Sequence, residues 1–250
     1  MSFGAIADDY DRLRPGPPQA AVDWLLPQRR DVFVDLGAGT GQLTRAMAPT
    51  AGRVVAVEPD ERMRSVLASR SAGVDVLAGR GEALPLPDAS ADAVVVSSAW
   101  HWMDADLAVP EIARVLRDGG RFGVLSTNRE RSIPWLRFEE WFAREDAEET
   151  TMHAVAARAV PAGARPQVIL PDPGAFHNIE TQVFRFTRTM AVLDLIDWLT
   201  TYSWVITASD EAKAAGRARA AAALAESFPG ATQIEVPMQS RCWRADRVPR

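Results

Sequence analysis

Cysteine and lysine are almost absent from this 250-residue chain, with Cys242 and Lys213 the single example of each. One cysteine excludes an internal disulfide and any paired-cysteine zinc site, and it suits a reduced compartment. One lysine, in an alanine- and arginine-rich stretch, leaves no P-loop, no Schiff-base lysine and no Tyr-x-x-x-Lys pair. H-E-x-x-H and G-x-S-x-G are missing too, which removes zinc proteases and α/β-hydrolases. No apolar run approaches the roughly 18 uncharged residues that a membrane-spanning helix needs. The first residues meet Asp8 and Asp9 before any apolar stretch long enough for a signal peptide, so a cytoplasmic protein without a membrane partner is expected. Excess positive charge is lacking as well. A net charge of −5 argues against nucleic acid as partner, because phosphates demand a basic face. The arginines between Arg129 and Arg144 alternate with acids and read as a solvated helix face.

What is present is ordinary globular composition, 47% hydrophobic and 24% charged, enough for one sizeable core. The first half alternates two periodicities. Strands are expected at 31–36, 53–58, 74–78, 92–98 and 121–126, each a short β-branched or apolar run. Helices are expected between them at 40–47, from an Asp60 N-cap to about 69, and at 111–117, with Pro110 in the first turn and Gly119-Gly120 ending it. Such alternation implies a parallel sheet with helices on both faces, which binds ligands at the carboxyl ends of its strands. Beyond Glu130 the pattern is less regular. An inserted helical segment to about Pro173 is expected, then a strand at 176–189, helices at 191–203 and 209–228, and a final strand at 232–243.

The strongest signal is Val34-Asp35-Leu36-Gly37-Ala38-Gly39-Thr40-Gly41, lying between a strand and a helix. Glycines there allow a tight turn and close approach of a ligand, and the helix start offers unpaired N–H groups. Glu58 closes the next strand, where a carboxylate can accept hydrogen bonds from two vicinal ribose hydroxyls. A dinucleotide fingerprint would place glycine at position 42, which is Gln42. Asp35 would moreover repel a pyrophosphate but attract an ammonium group. S-adenosylmethionine, with a ribose, no phosphate and a cationic tail, fits that charge pattern.

These motifs resemble class I S-adenosylmethionine-dependent methyltransferases of the methyltransferase type 11 group, near the trans-aconitate-methyltransferase-like branch. The resemblance also rests on Tyr10-Asp11-Arg12-Leu13-Arg14-Pro15, Glu58-Pro59, Gly81 to Asp88, Ala99-Trp100-His101-Trp102 and Glu111 to Leu116. It implies a Rossmann-like α/β fold: a seven-stranded, mostly parallel sheet with an antiparallel last strand, helices on both faces and a helical cap. It implies one domain over 1–250, divided into an N-terminal lid (1–30), a cofactor-binding core (31–127), an inserted cap (128–175) and C-terminal strands and helices (176–250). By the same resemblance, Asp35, Gly37, Ala38, Gly39, Thr40 and Gly41 would hold the methionine part and Glu58 the ribose. Pro59 and Met63 would flank the adenine, and Gly81 and Glu82 would contact its edge. Ser97 and Ala99 would line the sulfonium end, with Tyr10 and Arg14 closing the site. Arg80 departs from the relatives, which usually carry a small or acidic residue there.

Methyl transfer from a positive sulfur needs alignment and exclusion of water more than acid–base help. His101 is the candidate base if the acceptor must lose a proton, and a packed loop histidine otherwise. Trp100 and Trp102 are candidates to line an acceptor pocket or to cap the core; Trp135, Trp141, Trp198 and Trp204 read as core packing by default, with a hydrophobic substrate lining as the alternative, for which Trp135 is the candidate. O-methylation of a small carboxylate or hydroxyl compound is expected, without metal, and the oligomeric state is open. The competing readings are an NAD(P)-dependent oxidoreductase, which Gln42 disfavours, and a non-catalytic S-adenosylmethionine-binding protein.

Overall fold

The computed structural model describes residues 7–29, 31–130, 133–142 and 173–249. Its strands are β1 (Val32–Leu36), β2 (Arg53–Val57), β3 (Asp75–Leu77), β4 (Ala91–Ser97), β5 (Leu116–Arg129), β6 (Phe176–Ala191) and β7 (Gln233–Arg247). They form one sheet in the order β3-β2-β1-β4-β5-β7-β6. β1 to β5 pair in parallel, whereas β7 runs antiparallel to both β5 and β6. This is the seven-stranded Rossmann-like arrangement expected.

The central strands are apolar on both sides because both sides are covered. In β4 every residue from Ala91 to Val96 is buried. Val34, Val94 and Val96 face one layer, where α5 (Ala105–Val115) presents Val109 and Ile112. Phe33, Ala93 and Val95 face the other, covered by α2 (Gln19–Leu25) and α3 (Gln42–Met47). Each fully buried valine contributes about 1.5–3 kcal/mol relative to exposure. α4 (Glu61–Arg70) starts at Asp60, whose side chain accepts from the Arg62 and Met63 amides at 3.0 Å each, as the sequence predicts.

Several boundaries depart from expectation: β5 starts at 116 instead of 121, β7 runs on to 247, and the helix expected at 191–203 stops at 200. The helix expected at 111–117 starts earlier, at Ala105, because Asp104 caps it by accepting from Asp106 N. Pro110 therefore sits mid-helix, where it lacks the N–H that would reach the Asp106 carbonyl; both residues are exposed, and water can serve that carbonyl. The helix ends at Val115, and Gly119-Gly120 fall inside β5 instead of closing the helix. Arg129 also departs from the reading of a solvated face: it ends β5, is 6% exposed, and lies over the Phe138 ring at 5.3 Å.

A second core joins α6 (Phe138–Trp141), α7 (Val192–Thr200), α8 (Ser203–Ile206) and α9 (Asp210–Ser227) to the ends of β6 and β7. Trp141 and Trp198 are buried in it, the packing role expected of them. Most of the proposed cap, residues 131–132 and 143–172, lies outside the described residues, as does His153.

Candidate active site

The sheet order reverses at β1, flanked by β2 and β4, and the chain leaves β1 and β4 toward helices on opposite faces. Such a switch point leaves a crevice at the carboxyl ends of the strands. Here it is a cleft of about 430 Å³. Leu36 and Gly37 line it from β1, and Glu58 and Pro59 from β2. Arg80, Gly81 and Glu82 line it from β3, and Ala99, Trp102 and Met103 from β4.

The glycine loop is shaped by two constraints. Gly37 has φ +68°, and a Cβ there would stand 2.7 Å from the Ala99 Cβ, so the Gly37 backbone lies directly against the Ala99 methyl. Gly39 has φ +56° with open space where its Cβ would be; only its left-handed backbone demands glycine. That conformation lets the Gly39 amide donate to Glu58 Oε2 at 2.9 Å. Across the cleft Ser98, also left-handed at φ +55°, turns the chain out of β4. A serine held there costs on the order of 1 kcal/mol, strain of the kind found at binding sites.

Glu58 is 8% exposed and its other oxygen, Oε1, accepts from the Asp60 amide at 2.9 Å. Arg64 holds the same turn by donating to the Glu58 and Pro59 carbonyls. Burial pushes the Glu58 carboxyl above its ordinary value, against the two amide hydrogen bonds. Each oxygen has one backbone donor and room for a second, so the carboxylate is aimed and not saturated.

Asp35 is fully buried and does not line the cleft; it sits beneath the loop, accepting from Thr44 Oγ1 on α3 at 2.5 Å. Its Oδ1 has no hydrogen-bond partner among the described residues. Burial, with a smaller push from Glu58, raises its pKa to about 7. Two acids under and beside one glycine loop disfavour a pyrophosphate and favour a cation.

The first described helix packs on α3 and α4 and does not line the cleft. In α1 (Ala7–Leu13), the Asp11 carboxylate takes Arg45 at 2.6 Å and Arg70 at 2.5 Å, and its carbonyl takes Gln42. Burial opposes ionisation of Asp11, but the two arginines hold its carboxyl below the usual range. On the other side Arg12 reaches Asp194 of α7 at 2.6 Å. Arg14 lies over Tyr10 and Tyr202 at 5.0 and 4.5 Å and donates to the Thr201 carbonyl, while its Nε has no partner among the described residues.

The remaining predicted residues scatter. Ala38 and Thr40 are buried within the loop, Met63 is buried in the first turn of α4 behind the cleft, and Ser97 ends β4. Trp100 packs on Phe122 in the core at 5.3 Å, half-buried. His101 is exposed and stacks on Trp102, itself 60% exposed on the cleft wall. Trp135 stands edge-on to Phe228 in the second core, away from the cleft. Sequence reasoning missed Met103, which underlies both Gly37 and Gly81, and the Asp11–Arg45–Arg70 cluster. Met103 carried a signal: it is the apolar residue between the Trp-His-Trp run and the Asp104 cap.

Comparison with known proteins gives a consistent result. The Methyltransferase domain family matches residues 34–124, the span from β1 to β5 that builds the cleft. An uncharacterized methyltransferase of Mycobacterium tuberculosis is 34% identical over 247 residues, 98% of this chain and 95% of that protein. A solved methyltransferase-fold chain of Anaeromyxobacter dehalogenans superposes with a TM-score of 0.70 at 25% identity, covering 95% of this chain and 99% of that one. The fold alone is also shared with a Haemonchus contortus phosphoethanolamine N-methyltransferase solved with S-adenosylhomocysteine. There the TM-score is 0.54 at 15% identity, over 100% of this chain and 61% of that one.

Proposed function

Because the chain belongs to the methyltransferase-domain family and is an S-adenosylmethionine-dependent methyltransferase, we propose that its acceptor is a small molecule methylated on a carboxylate oxygen. Bound S-adenosylmethionine supplies a methyl group activated by positive sulfur. The chain's own residues align it. In this reading Glu58 accepts both ribose hydroxyls through the free lone pairs of its carboxylate. The Gly37–Gly41 backbone receives the methionine part, with Asp35 providing negative charge from below. Pro59, Gly81 and Glu82 enclose the base, Met63 supports that wall from behind, and Ala99 and Trp102 stand at the β4 side. Tyr10 and Arg14 close the N-terminal edge.

The observation that carries the choice of acceptor is the place of His101. It is exposed on the rim, stacked on Trp102, and not enclosed where a proton would have to be taken. A carboxylate acceptor is already ionised near neutral pH and needs no base, whereas an alcohol does. His101→Ala is therefore expected to keep kcat/KM within about tenfold. Loss of a true general base costs roughly 10²–10⁴-fold.

The test is a panel of small carboxylates and phenols, read by S-adenosylhomocysteine release from wild type and His101→Ala. Turnover of carboxylates by both supports the reading. Turnover of phenols alone, lost in the variant, replaces it with base-assisted hydroxyl methylation. Cofactor binding with no release on any acceptor favours the non-catalytic alternative.

A further inference from the structure

The sheet order fixes which end of the cleft meets which part of an adenosine ligand. β3 is the outermost strand, next to β2, and the Glu58 amide donates to the Leu77 carbonyl at the end of β3. A ligand with its sulfur near β1 and β4 and its ribose on Glu58 must lay its base over the loop that follows β3. That loop carries Arg80, Gly81 and Glu82 on the cleft wall. Glu82 is pinned, its Oε1 accepting from the Asp104 amide at 2.9 Å, which leaves Oε2 to receive one more donor. Arg80 is exposed, and its guanidinium makes no hydrogen bond or ion pair with another described residue. That distinguishes it from four other arginines: Arg64 is committed to two carbonyls, Arg45 and Arg70 to Asp11, and Arg114 to Glu111 and Asp88. These four guanidinium groups are part of the scaffold. Arg80 is not.

We propose that Arg80 is a base-reading residue that donates to acceptor atoms on the purine edge, so that the cleft takes 6-oxopurine nucleoside ligands as well as adenine ones. This rests on the reading that the cleft holds the cofactor with its ribose on Glu58. The chemistry follows from the donor inventory. A guanidinium has five N–H groups and no acceptor, so it cannot receive the adenine amino group, but it can donate to N1 or N7. Against hypoxanthine it gains a further acceptor, O6, and can reach O6 and N7 together, the same pairing by which arginine reads guanine in DNA. Glu82 Oε2 complements either base, receiving the amino group of adenine or the N1–H of hypoxanthine. A site with a carboxylate at position 80 would have the opposite polarity and would reject O6 by placing two acceptors face to face.

The experiment is calorimetric titration of wild type, Arg80→Ala and Arg80→Asp with S-adenosylhomocysteine and with S-inosylhomocysteine, its 6-oxo analogue. In wild type the two ligands are expected to bind within about tenfold of each other. Arg80→Ala is expected to weaken both, the inosyl ligand more, and Arg80→Asp to favour the adenosyl ligand by about 100-fold. Equal affinities of wild type and Arg80→Ala for both ligands would overturn the assignment of Arg80 while leaving the cleft intact. So would a wild type that already discriminates about 100-fold against the inosyl ligand. No binding of S-adenosylhomocysteine by wild type would remove the underlying reading, and the Arg80 assignment with it. Because Arg80 is exposed and bonded through its backbone alone, both variants are expected to melt with wild type, which circular dichroism checks.

Discussion

Glu58→Ala is expected to weaken S-adenosylhomocysteine binding by about 100-fold or more while the chain stays folded. Two charge-assisted hydrogen bonds to the ribose are worth roughly 1.5–3 kcal/mol each, and the smaller sum already gives that factor. The same carboxylate organises the binding loop from within, through the Gly39 and Asp60 amides. Its removal leaves both N–H groups without their acceptor, so the loop loses its shape as well as its ligand contact. Glu58→Gln separates the two effects. Its amide retains one acceptor oxygen, so one amide contact and one ribose contact survive, and an intermediate loss is expected. Isothermal titration measures all three. An alanine variant that binds within threefold of wild type would mean that the ribose lies elsewhere.

Asp35→Asn is expected to stabilise the protein at pH 8 while weakening its cofactor. Folding moves this carboxyl from 3.8 to about 7, because burial penalises its charge. Between those values the folded chain keeps a proton that the unfolded chain has released, so stability falls as pH rises through that window. Above it the whole cost is present, on the order of 4 kcal/mol. Asparagine carries no charge, and its carbonyl oxygen can still accept from Thr44 Oγ1, so most of that cost disappears. Thermal melts should place the variant several degrees above wild type at pH 8, with the gap narrowed to less than half at pH 5. The charge that attracts the ligand's ammonium group is lost in the same step, so affinity falls as stability rises. Equal melting temperatures of variant and wild type at both pH values would show that Asp35 bears no such burden.

The sequence carried the fold well where one physical rule dominated. Doubly buried strands such as Ala91–Ser97 must be apolar throughout, and a positive-φ turn such as Gly37–Gly41 must be glycine-rich, so both were readable. The carboxylate at Glu58 was readable because its spacing after β2 is set by the sheet. Boundaries were lost where a side chain outcompeted a breaker: the Asp104 cap starts α5 five residues before Pro110, and propensity alone does not reveal that the proline is tolerated mid-helix. Asp35 was read as facing the ligand, yet its alternation in β1 turns it under the loop toward Thr44. The Asp11–Arg45–Arg70 cluster joins residues 34 and 59 positions apart, and no local pattern encodes such a pairing. Only the tertiary contact with Phe228 assigns Trp135 to the second core, the packing role that was its default reading.

The most direct measurement is a crystal structure of the protein with S-adenosylhomocysteine soaked to saturation. Both ribose hydroxyls should lie within hydrogen-bond distance of the Glu58 carboxylate, with the homocysteine tail over the Gly37–Gly41 backbone. Density for the ligand at any other surface, or a Glu58 side chain turned away from the ribose, would contradict the assignment of this cleft.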